Sequence, residues 1–84
     1  MYADVIEVSV AEHLSLNVTF NDGLTGKIRF FESHLTGVFE VLKSPEIFRQ
    51  VSCVNGYVEW PGEIDLAPDA MYDEIKKCGV WELT

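Results

Sequence analysis

Apolar and polar residues alternate through the first third of the chain, lose that rhythm in the middle and regain it afterwards. Ile6, Val8 and Val10 alternate with Glu7 and Ser9. Leu14, Leu16, Val18 and Phe20 alternate with Ser15, Asn17 and Thr19, and residues 24–30 set Ile28 and Phe30 against Lys27 and Arg29. A period of two belongs to strands with one buried and one wet face. Glu12-His13 makes a short turn between the first two runs. Asn21-Asp22-Gly23, between the second and third, consists of residues that tolerate positive φ in tight hairpins. The expectation is a three-stranded antiparallel meander, with Ile6 and Leu14 among its inward residues. Gly26, inside the third run, marks a bulge or a close backbone approach.

From Phe31 the period changes. Residues 31–37 read as a turn or a single helical turn, and Val38, Phe39, Val41 and Leu42 as an apolar knot in a short helix or bend. Ser44-Pro45-Glu46 is a helix start. Ser44 is a fit N-cap, proline stands where its missing N–H does no harm, and the glutamate favours the positive end of the dipole. That helix spans about 45–50, with Ile47 and Phe48 inward. Residues 51–54 and 57–60 flank Asn55-Gly56, the strongest two-residue hairpin signal. Pro61-Gly62 ends the last strand, because proline cannot donate to a ladder. A final helix begins near Pro68, with Asp69, Asp73 and Glu74 toward its N-terminus and Lys76 and Lys77 toward its C-terminus, and it stops at Gly79. The tail, residues 80–84, alternates again, as an edge strand or as a segment folded back on the core. The fold class is therefore α+β in one domain over residues 1–84. It is an antiparallel meander of three strands plus a second hairpin, joined into one sheet, with one short middle helix and a C-terminal helix packed on the sheet.

Composition adds a constraint on partners. Fourteen acids against six bases give a net charge of −8, and residues 57–84 alone contribute −5. A field of that sign repels phosphate backbones, so no direct nucleic-acid binding is expected. It suits a basic protein, a cation or plain solubility. A chain of 84 residues buries only about 60–65% of its unfolded surface, so a partner or a dimer would add stability. No apolar run approaches the roughly 20 residues that span a bilayer. Asp4 and Glu7 interrupt the place where a signal peptide would need a basic start and an apolar run. The expected location is cytoplasmic, with no membrane contact, which makes Cys53 and Cys78 free thiols, expected buried and inert.

No constellation points to catalysis. Glu59, Glu63, Asp65, Asp69 and Asp73 form the densest acid cluster, but their spacing does not match an EF-hand loop, and helix-end electrostatics accounts for part of it. Glu59 and Glu63 lack any sign of a pocket for acid–base work. His13 and His34 sit far apart in turns, without zinc-ligand spacing. The serines lack a nucleophile elbow and no glycine-rich phosphate loop is present. No catalytic residue, metal ligand or cofactor is assigned. Two tryptophans remain. Trp60 reads as packed under the last helix, with an exposed partner anchor as the alternative. Trp81 stands between self-packing and a dimer or partner contact.

Several segments together resemble a known family. They are Asp4-Val5-Ile6-Glu7-Val8, Val18-Thr19-Phe20-Asn21-Asp22-Gly23, Gly37-Val38-Phe39-Glu40-Val41-Leu42, Ser44-Pro45-Glu46-Ile47-Phe48, residues 51–56 and, above all, the run from Trp60-Pro61-Gly62-Glu63 through Asp65-Leu66, Pro68-Asp69 and Tyr72. The chain resembles, over about residues 2–74, the small prokaryotic family catalogued as domain of unknown function 2442. The tail from Cys78 departs from that pattern. The resemblance implies a compact α+β domain, sometimes fused to a helix-turn-helix. It also implies frequent pairing with another very small protein, in modules proposed to be toxin–antitoxin systems with the acidic member as antitoxin. It supplies no catalytic residues.

Three expectations for function follow. The first is a non-catalytic interaction module, an antitoxin-like partner of a small basic protein, binding through Trp60, Glu63, Asp65, Asp69 and Trp81. The second is a homo-oligomeric accessory or regulatory domain that dimerises through Trp81 and the tail. The third, resting only on the acid cluster, is a weak divalent-metal binder.

Overall fold

The computed structural model describes residues 4–83. The first three strands form the expected meander. These are β1 (Val5–Glu12), β2 (Ser15–Phe20) and β3 (Thr25–Phe30), paired antiparallel in that order. Leu16, Val18, Phe20, Ile28 and Phe30 are buried on one face, and Asn17, Lys27 and Arg29 are exposed on the other. Ile6 departs from the simple alternation. Val5 pairs with Phe20 and Glu7 with Thr19, so Ile6 is an extra residue in the ladder. Such a bulge shifts the phase by one and exchanges the two faces. Val5 is therefore buried, and Ile6 is 59% exposed. Leu14 also leaves its expected strand. It lies in the β1–β2 turn with φ 64, half-buried, and β2 begins at Ser15.

Gly26 marks a close approach and not a bulge. It pairs regularly with Val18, and a Cβ there would run into the Ile75 side chain. Ile75 belongs to the C-terminal helix, which rests directly on this strand backbone.

A 3-10 turn (Glu32–His34) and a 3-10 helix (Gly37–Lys43) cross the middle of the chain, followed by the four-residue helix α1 (Pro45–Phe48). Ser44 stands before α1 with extended backbone, but its hydroxyl makes no capping hydrogen bond, and the helix ends at Phe48, short of Gln50. Leu35, Leu42 and Phe48 are buried.

The second hairpin, β4 (Ser52–Val54) and β5 (Tyr57–Trp60), turns at Asn55 (φ 52) and Gly56 (φ 88). Pro61-Gly62 then makes a further turn instead of ending the sheet. The chain re-enters as β6 (Ile64–Leu66), antiparallel to β5, with Trp60 opposite Ile64 and Val58 opposite Leu66. There are thus two sheets, one ordered β1-β2-β3 with the tail strand β7 (Val80–Leu83) beside β3 and one ordered β4-β5-β6, and not the single joined sheet expected. They meet where the Val5 N–H donates to the Gly56 carbonyl (2.9 Å).

The C-terminal helix α2 (Pro68–Cys78) has proline in its first turn, Asp69 near its start, Lys76 and Lys77 in its last turn, and Gly79 at φ 83 as its left-handed stop. Met71 and Ile75 bury its inner stripe at i and i+4. The tail is an edge strand, β7 (Val80–Leu83), parallel to β3; Thr84 lies outside the described residues. Among the described residues no helix is long and apolar enough to cross a membrane.

Candidate functional site

Acidic side chains dominate the surface. None of the fourteen is buried, and Glu59 and Glu74 alone are even half-buried. Two ion pairs occur among the described residues, Arg29–Glu82 (3.7 Å) and Lys77–Glu74 (3.8 Å). Twelve carboxylates therefore have no basic neighbour within ion-pair distance among those residues. Glu59 on β5 stands directly opposite Asp65 on β6. Like charges in that cross-strand position repel at short range.

The structure disperses the residues singled out from the sequence. Glu63 is exposed in the β5–β6 turn at φ 65, Asp65 is exposed on the outer face of β6, and Asp69 is exposed in the first turn of α2. Among the described residues no three His, Cys, Asp or Glu side chains gather closely enough to hold a metal ion. Trp60 is 2% exposed. Its indole Nε1–H donates to the Phe48 carbonyl (3.0 Å), and its ring meets Phe30 edge-on at 5.8 Å and Phe48 at 5.9 Å. The hydrogen bond and ring contacts that fix it come from α1 and β3, within the same core cluster as Met71 and Ile75 of the last helix, and at 2% exposure it presents almost no surface to a partner. Trp81 is half-buried on β7, opposite Ile28 and packed on the core.

The cysteines differ from each other. Cys53 is half-buried on β4, but Cys78, the last residue of α2, is exposed, although at i+7 from Met71 it continues the inner stripe. His13 lies edge-on to Phe48, and His34 lies between Phe30 and Phe39. Asp22 and Tyr72 form a polar link between the β2–β3 turn and α2. The Tyr72 hydroxyl donates to one Asp22 oxygen, and the Leu24 N–H donates to the other (3.0 Å). The Tyr72 hydrogen bond, helped by that of Leu24, holds the Asp22 carboxyl below its ordinary pKa, and the same bond pushes the Tyr72 phenol up.

An open apolar groove of about 430 Å³ is lined by Val38, Val41, Ile47, Gln50, Pro61, Gly62 and Ile64. The 3-10 helix supplies one wall. At three residues per turn, positions i and i+3 eclipse. Phe39 and Leu42 consequently share the inner edge, half-buried and buried, while Val38 and Val41 share the outer edge at 67% and 44% exposure. The helix α1 supplies Ile47 and the loop after it Gln50; the Pro61-Gly62 turn and the start of β6 supply the rest. The apolar knot expected from the sequence did not separate these two edges. The separation of 38 from 41 by three was the only available signal.

No curated protein and no solved structure matches the chain. Residues 5–77 match the family described as "Protein of unknown function (DUF2442)", and with that span covering most of its length the chain belongs to this family.

Proposed function

We propose that the chain is a non-catalytic protein-interaction module whose partner is a small basic protein. The observation that carries this reading is the unpaired acidic surface, twelve carboxylates without a basic group within ion-pair distance among the described residues. Self-repulsion of that size weakens the isolated fold and is relieved by a cationic partner. The Glu59–Asp65 pair is a local case of it. In the antitoxin-like form of this reading, the acidic chain masks a basic toxin and frees it on dissociation.

The test has two stages. Tagged protein is used at low salt to capture partners from its native host, and any partner so named is then purified and titrated against it by calorimetry. The expected outcome is a single small basic protein released by salt, with affinity lowered at least about tenfold when Glu63, Asp65 and Asp69 are all changed to lysine. Unchanged affinity in that variant would place the interface elsewhere.

A homo-oligomeric accessory domain is the second reading, and β7 favours it. The Lys27 N–H donates to the Gly79 carbonyl and the Phe31 N–H to the Leu83 carbonyl. By the alternation of a parallel ladder, the main-chain groups of Val80 and Glu82 face away from β3, an unpaired edge that a second copy can extend. Sedimentation at high concentration decides it. A dimer abolished by deleting residues 80–84 supports this reading, and a monomer excludes it.

A further inference from the structure

We propose that the groove between the 3-10 helix, α1 and the Pro61-Gly62 turn seats an apolar anchor side chain of a basic partner, with lysines or arginines beside that anchor meeting the carboxylates around the groove. This rests on the interaction-module reading above and names its contact surface.

Shape, exposure and charge carry it. The volume, about 430 Å³, falls in the lower part of the roughly 300–1,000 Å³ range of small-ligand clefts, which is room for one or two large side chains. The walls are aliphatic, and Val38 and Val41 stay in water when they have nothing to cover them. Burying them against an anchor recovers apolar area that this small fold leaves unused. Glu40, Glu46 and Glu63 lie exposed on the same segments as the groove, against Lys43 and Arg49, three acids to two bases, whereas Asp65 stands on the opposite face of β6 from Ile64. Interfaces that combine a central apolar anchor with a charged rim draw affinity from the first and encounter rate from the second.

Charge also selects the occupant. A second copy would offer its own knob, the bulged Ile6, but it would bring another −8 to a surface already at −8. A nucleic acid is disfavoured, because its phosphates meet a surface of the same sign. A cationic polypeptide with an aromatic or aliphatic side chain satisfies both the walls and the rim.

The experiment uses a short fluorescein-labelled synthetic peptide with one tryptophan flanked by lysines. It is titrated into isotope-labelled full chain and followed by anisotropy and amide shifts. The expected shifts fall on Val38, Val41, Ile47, Gln50, Gly62 and Ile64. Affinity should fall about tenfold when tryptophan is replaced by serine in the peptide, and by a similar factor in Val38→Asp and Val41→Asp chains. Both valines are exposed, so the variants fold. The added carboxylate would by itself strengthen attraction for lysine, so a loss can come only from the anchor.

If the serine peptide binds as tightly, or if shifts fall on the Glu59–Asp65 face instead, the groove is overturned while the interaction-module reading stands. If no lysine peptide binds even at low salt, both fail. Concentration-dependent shifts at the groove in the protein alone would give the site to a second copy and overturn the proposal.

Discussion

Two side chains on the surface hold unusual positions, and each makes a prediction of its own. The Tyr72–Asp22 hydrogen bond ties the β2–β3 turn to α2, and the Tyr72 ring adds an edge-on contact with Phe20 at 5.1 Å. Because the Asp22 pKa is depressed on folding, its contribution is present above the ordinary value near 4 and is lost as pH falls through the lower folded value. Because the Tyr72 pKa is raised, its contribution is present below about 10 and is lost as pH rises through the higher folded value. The melting temperature of Tyr72→Phe should therefore lie below that of the parent by a constant gap between about pH 5 and pH 9, closing at both extremes. A gap that does not change with pH would mean that the bond is not formed in solution. Glu63 is the second case. A glutamate at φ 65 is held in a conformation that costs an ordinary L-residue about 1–2 kcal/mol, and asparagine tolerates it better. Since Glu63 is exposed and its backbone is in a turn, Glu63→Asn should stabilise the fold by about 0.5–1 kcal/mol in urea unfolding. If the interaction reading holds, the same change weakens partner binding, which is a reason for a strained acid to stand there.

Among the elements, what the sequence revealed depended on how much neighbours had to supply. β2 and β3 were legible because alternation over six residues each leaves one wet face, and Asn55-Gly56 because only a tight hairpin uses it. Ile6 misled because a bulge is invisible to a period-two pattern; the exchange of Ile6 for Val5 needs the register against Phe20 and Thr19. β6 was lost behind Pro61-Gly62, since three residues are too few to show a period. The exposed acids were legible, because carboxylates rarely go inside. The groove was not, because its walls come from three separated segments and from a 3-10 geometry that sequence cannot tell from α. Gly26 tests the packing of α2 on β3. An alanine methyl there overlaps Ile75, whose branched Cβ leaves it little room to yield. Removing a glycine from a strand returns about 0.4–1 kcal/mol through the unfolded state, but overpacking costs about 1–3, so Gly26→Ala should destabilise by about 1–2 kcal/mol. In an Ile75→Ala background the methyl fills vacated space, and the same change should be neutral or favourable. Additive effects in the two backgrounds would show that the helix does not rest on this glycine.

For the whole molecule, the core and the charge act in opposite directions. One continuous cluster, from Val5 through the Phe30–Phe48–Trp60 aromatics to Leu83, holds both sheets and α2 together. A fold of this size has about 5–15 kcal/mol of net stability at most, so a penalty of one or two is felt. The surface supplies such a penalty, with a net charge of −8 and, among the described residues, two long, exposed ion pairs to offset it. Exposed pairs of that kind contribute about 0–1 kcal/mol each. Screening should therefore remove more repulsion than attraction. Raising sodium chloride from about 0.05 to about 0.5 M shortens the Debye length from roughly 14 to roughly 4 Å. The melting temperature should rise by about 4–8 °C for each kcal/mol of repulsion removed. Sodium sulfate would also strengthen apolar burial, so chloride is the discriminating salt. The same screening must weaken capture of a basic partner. Salt should thus stabilise the free chain and dissociate the complex, two opposite responses from one set of carboxylates. A free chain that melts lower in high chloride would mean that its acids are already compensated within the fold, and it would remove the electrostatic reason for a cationic partner.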